Sequence, residues 1–318
     1  MTAKIKIRES YYCNLKFLLL FMVVFGHWVE PYINYFVWVK SVYRIIYTVH
    51  MPLFIFLSGT FLKSPMQAKR QALRFLAYYL IFQTIAVLTG RALGYSFCLC
   101  CPYWHLWYLL SLSLWSLFVW ILEKWGHLSS KPLYFKVGII LLAVGIGCGA
   151  GCLPWINRNI SLSRTLVFFP YMLAGHICPK GFFKGKHILG VGALLGFSGL
   201  YLLFNPHIPT SFFYQAESYG ALGQAFGVHL RLICYLMGGF LGVGLLALTP
   251  ERLFSFSKIG TDTLGIYLCH VPLIKILSLL PLPPFAMVLI GPFSSIWIIY
   301  LLGKIFQWRG QLYAIYEK

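Results

Sequence analysis

His27 and Glu30 stand three residues apart in the segment FGHWVEPY. On a helix that spacing places both side chains on one face. A carboxylate beside an imidazole fixes its tautomer and raises its basicity, which is what a general base requires. The plainer alternative is a buried histidine with one hydrogen bond and a glutamate reaching the interface. A second histidine, His50, opens HMPLFIFLSG, which contains Pro52 and closes on Ser58-Gly59. Metal binding is the minor alternative for these groups: a site needs three or four ligands, and no HExxH-like spacing occurs. Downstream, KSPMQAKRQALR carries Arg70 and Arg74, four residues apart. They suit the phosphates of a cytosolic donor, and equally an inside loop that is merely basic. Arg164 opens a helix broken by Pro170, and IGTDTLGIYLCH ends in His270. Asp262, the only aspartate in the chain, precedes Thr263 as a candidate helix cap.

These groups must be held by something, and composition says what. Of 318 residues, 59% are apolar and 10% charged, with a mean hydropathy of +0.77. Soluble domains carry about 25% charged residues, so a water-soluble enzyme is excluded, as is disorder. The expected class is all-α, a polytopic membrane helical bundle. Ten segments are apolar enough to cross a bilayer, over residues 15–33, 43–63, 73–93, 104–123, 134–153, 164–178, 187–204, 229–249, 262–280 and 285–306. The sixth and seventh are the shortest, and the stretch 205–228 reads as a loop or surface-lying segment. His27 and His50 then lie at a matched depth of about 10 Å from one face, in adjacent helices.

The net charge of +19 would suggest nucleic acid on a soluble chain. On a membrane chain it reads as the positive-inside bias, and no nucleic-acid partner is expected. With the N-terminus inside, nineteen of the 26 Lys and Arg fall on the inner side. Both ends are therefore expected in the cytoplasm. The nine cysteines form no framework, although Cys98, Cys100 and Cys101 cluster where a disulfide could form. GxSxG, Walker and GxGxxG motifs are absent, which removes the usual support for hydrolases and ATP-driven pumps.

The order of motifs resembles the acyltransferase-3 family of integral-membrane acyltransferases, especially its fucose-4-O-acetylase-like branch. The matching pieces are LKFLLLFMVVFGH, HMPLFIFLSG, KRQALR, WYLLSL, SRTLVFFPYMLAG and IGTDTLGIYLCH. The resemblance implies one membrane domain over 1–318, with about ten helices, in a bacterial plasma membrane. It implies acyl transfer, usually acetyl from cytosolic acetyl-CoA, to a hydroxyl of a cell-envelope glycan or lipid-linked sugar. Acyl-CoA is then a co-substrate, with no bound cofactor and no metal. His27 matches the family's essential histidine, with Glu30 as its orienting partner. Lys16, Arg70 and Arg74 match basic positions that handle the donor. His50, Ser58, Arg164 and His270 are substrate or oxyanion candidates. This chain departs from the pattern at Asn14, where an acid is common, and at Lys63, where SGxxxG would end in glycine. Succinyl transfer to a biofilm polysaccharide and a flippase for lipid-linked sugars are the competing readings.

Overall fold

The computed structural model describes residues 2–92, 100–224, 227–252, 254, 257 and 263–316. Among these there are ten α-helices and no strand: α1 (Thr2–Val29), α2 (Val37–Phe61), α3 (Pro65–Ala92), α4 (Trp107–Lys124), α5 (Leu133–Ala150), α6 (Leu162–Ile177), α7 (His187–Phe204), α8 (Gly227–Leu248), α9 (Thr263–Leu277) and α10 (Pro284–Tyr316). Each of the ten expected segments has its helix. Eight are long and apolar enough to cross a membrane; α6, with 16 residues, and α9, with 15, are the short ones. The seventh segment, read as 187–204, has the bounds of α7. A 3₁₀ turn follows it, and helix and turn together make a candidate span over His187–His207. Asp262 and Cys98 lie outside the described residues.

The helices are grouped in two compact units, with boundaries inside α2, α7 and α8. The first unit holds residues 1–51, 183–197 and 239–318. In it α1, α9 and α10 pack on one another. Burial of the apolar face drives that packing, and a few polar anchors fix it. Trp28 Nε1 donates to the Met287 carbonyl at 2.8 Å. Tyr11 Oη donates to the Leu246 carbonyl, also at 2.8 Å. Asn14 Nδ2 donates to the carbonyls of both Pro250 and Arg252, each at 2.8 Å.

The second unit holds residues 52–182 and 198–238. Here α3 pairs with α4, α5 with α6, and α4 with α6. Small residues let the backbones meet. A Cβ on Gly59 would collide with the Met172 carbonyl, and one on Gly175 with that of Phe56, so α2 and α6 cross at near backbone contact. Trp115 Nε1 donates to the Thr165 carbonyl at 2.7 Å, and Ser113 Oγ to that of Ala72 at 2.8 Å. The stretch after α7 is not free loop. It contains two 3₁₀ turns with Phe212 and Phe213 buried. Tyr219 Oη donates to the Cys148 carbonyl at 2.7 Å, and burial raises the pKa of that phenol.

Candidate active site

His27 lies on the last turns of α1, and Glu30 opens the 3₁₀ turn Glu30–Tyr32 that follows. Pro31, in the middle of that turn, has no N–H to continue the helical ladder. His27 Nδ1 and Glu30 Oε2 are 3.2 Å apart, and both side chains are only partly buried. Next to them, Trp28 anchors the end of α1 to α10. Gly26 lets α2 approach, since a Cβ there would sit 3.3 Å from both Ile46 and Tyr47. These neighbours hold the His27 ring in place.

Two aromatic rings, from His270 and Tyr47, pack against it, and Tyr47 carries the cluster on to His50 and Tyr43. The His270 ring on α9 is 5.4 Å from that of His27, tilted by 38°. Tyr47 on α2 meets the His27 ring edge-on at 6.5 Å and the His50 ring at 4.7 Å. Tyr43 stacks on Tyr47 at 4.0 Å. His50 and His270 are both buried.

The partners assign the tautomers. A carbonyl oxygen can only accept, so a ring nitrogen facing one must carry the proton. His50 Nδ1 donates to the Ile46 carbonyl at 2.8 Å. His270 Nδ1 donates to the Tyr267 carbonyl at 2.6 Å and lies 3.2 Å from that of Ile266. His27 Nδ1 donates to the Glu30 carboxylate. In each neutral ring the lone pair is therefore on Nε2. Of these three rings, His27 is the one shown with a carboxylate behind it, the arrangement that stabilises an imidazolium once Nε2 has taken a proton.

The first unit thus brings together His27, Glu30, His50 and His270. It also contains Lys16, half-buried on α1 eleven residues before His27, or about 16 Å along the helix. The other predicted residues belong to the second unit. Arg70 and Arg74 are exposed on the first half of α3. The Arg74 guanidinium lies over Phe75 and Tyr78, at 5.8 Å and 5.5 Å. Ser58 Oγ donates to the Phe54 carbonyl and accepts from Tyr108 Oη, each at 3.0 Å. Arg164 Nε donates to the Tyr214 carbonyl at 3.0 Å, and its guanidinium lies 4.8 Å above Trp107.

Two features escaped the sequence reading. Tyr47 links His27 to His50; its only signal was its place three residues before His50. In the second unit, buried Glu123 and His176 meet at 2.5 Å. Ser129 Oγ donates to the same carboxylate at 2.7 Å, and His176 Nδ1 donates to the Leu62 carbonyl at 2.5 Å. Lys63 Nζ donates to the carbonyls of His176 and Cys178, at 2.6 Å and 3.1 Å. A lone glutamate at the end of an apolar span was the available signal. Among the described residues, no three His, Cys, Asp or Glu side chains group so as to hold a metal ion.

No curated protein and no solved structure matches the chain. The profile of one family, described as an acyltransferase domain, matches residues 10–304, a stretch that contains every candidate residue above. With its helices arranged as a polytopic membrane bundle, the chain belongs to the acyltransferase-3 family.

Proposed function

We propose that this membrane acyltransferase moves an acyl group, acetyl foremost, from cytosolic acyl-CoA to a hydroxyl of a cell-envelope glycan or lipid-linked sugar, in a bacterial plasma membrane. The observation that carries the proposal is the Glu30-backed His27 with His270 and Tyr47 packed around it. His27 Nε2 removes the hydroxyl proton as the oxygen attacks the thioester carbon. Glu30 orients the ring and stabilises the imidazolium. The tetrahedral intermediate collapses with loss of the CoA thiolate, which takes the proton back from His27. Lys16, Arg70 and Arg74 are assigned to the donor's phosphates, and His50, Ser58, Arg164 and His270 to the acceptor or the oxyanion.

The test is acyl transfer by purified protein. A general base contributes about 10²–10⁴-fold, so His27→Ala should lose at least a hundredfold at normal protein yield. Glu30→Gln should lose less, because it leaves the base itself in place. A loss under about tenfold in His27→Ala assigns the histidine to packing and removes the mechanism.

A further inference from the structure

The donor side of α3 is one stripe of that helix, and the neighbouring stripe points to a different ligand. Lys69 shares a helical face with Leu73, Leu76 and Leu80, all exposed. On α4, Lys124 shares a face with Trp120 and exposed Leu117. The two helices run antiparallel in a fixed register. Gln71 Nε2 donates to Ser116 Oγ at 3.1 Å, and Ser113 Oγ to the Ala72 carbonyl at 2.8 Å. That register brings both lysines to one indole. Lys69 Nζ is 5.9 Å and Lys124 Nζ 5.1 Å from the centre of the Trp120 ring. Trp125 closes the other side of Lys124 at 5.6 Å and is 66% exposed.

Two ammonium groups are thus within reach of one indole, and an anion seated beside that ring is attracted by both. Among the described residues neither is in an ion pair. Glu123, adjacent to Lys124, is engaged by His176 and Ser129. The cations also cap the exposed apolar stripe of α3 and the exposed Leu117 of α4, so the ligand that satisfies the whole surface carries an anionic head and long apolar tails.

We infer that the end of the α3–α4 pair where α3 begins is a binding site for one anionic phospholipid. Its phosphate is held between Lys69 and Lys124 against Trp120, and its acyl chains lie along Leu73, Leu80 and Leu117. The charge argues against a zwitterionic lipid, whose choline would face the same two cations. The site is independent of the acyl-transfer mechanism.

Native mass spectrometry of the full chain tests it, with dioleoylphosphatidylglycerol and dioleoylphosphatidylcholine as probes. The wild type should retain phosphatidylglycerol at concentrations where phosphatidylcholine leaves. K69Q/K124Q should weaken phosphatidylglycerol binding about tenfold or more, while K131Q/K304Q, with the same loss of charge elsewhere, should bind as the wild type does. If the double variant fails to fold, K69Q and K124Q singly should each weaken binding several-fold. Equal retention of the two lipids overturns the inference, as does equal loss in the control variant or unchanged binding in K69Q/K124Q. Displacement of the lipid by equimolar coenzyme A also overturns it, because the lysines would then serve the donor.

Discussion

At the scale of single residues, hydrogen-bond direction explains more than charge. Asn14 stands where the family pattern often has an acid, and its amide donates to the carbonyls of Pro250 and Arg252. A carboxylate has no hydrogen to offer and would face both oxygens across a repulsive gap. Asn14→Asp should therefore destabilise the protein by about 1–3 kcal/mol, read as a lower unfolding temperature in detergent. An unchanged temperature would show that the carboxylate has found other donors. The same logic marks what was legible in the sequence. The His27–Glu30 pairing could be read because i,i+3 geometry is local and α1 supplies it. The contact of His27 with His270 could not, because 243 positions separate them and only the packing of α1 on α9 joins them. Tyr47 was hidden for another reason: in a chain that is 18% aromatic, one tyrosine carries no signal.

At the scale of elements, a helix presents different chemistry on neighbouring stripes, and α3 does this twice. The stripe with Arg70 and Arg74 is exposed and basic; the one with Lys69 grades into apolar side chains. If the arginines hold acyl-CoA, replacing both with glutamine should raise the donor KM several-fold and leave kcat within about twofold, since uniform binding is lost and not a transition-state contact. Unchanged donor KM would return them to the role of cations that orient the loop. Helix existence was readable from apolar runs at all ten segments. Helix length was less so: α7 matches its apolar run, but α1 starts at Thr2 and α10 continues to Tyr316, beyond the runs at 15–33 and 285–306. Nor did hydropathy foresee the small residues at the α2–α6 crossing as a near-backbone contact. Ser58-Gly59 is a small pair of the kind that admits a neighbouring helix, but Gly175, the other half of that contact, lies more than a hundred residues away at the end of SRTLVFFPYMLAG.

At the scale of the whole molecule, the sign and placement of charge make a further prediction. Nineteen of 26 basic residues fall on one side if the N-terminus is inside, and cytoplasmic loops collect Lys and Arg. Reporter fusions at both ends should therefore report the cytoplasm, and an external signal from the C-terminal fusion would refute that orientation. Most of the candidate chemistry in the first unit comes from α1 and α2, which are consecutive, and from α9, far along the chain. The seat of α6 has a different character. At 16 residues, or about 24 Å, α6 is shorter than a hydrocarbon core of about 30 Å. Its carbonyl end is closed by Lys63, His176 is held by Glu123 and Leu62, and Gly175 meets Phe56. Each of those partners lies on α2, on α4 or on the turn after α2, all made before α6 during synthesis from the N-terminus. A segment too short to partition into lipid alone therefore leaves the ribosome after the groups that receive it. Substitutions at Gly59, Lys63 or Glu123 should then register as failed membrane integration of α6 before they register as lost activity.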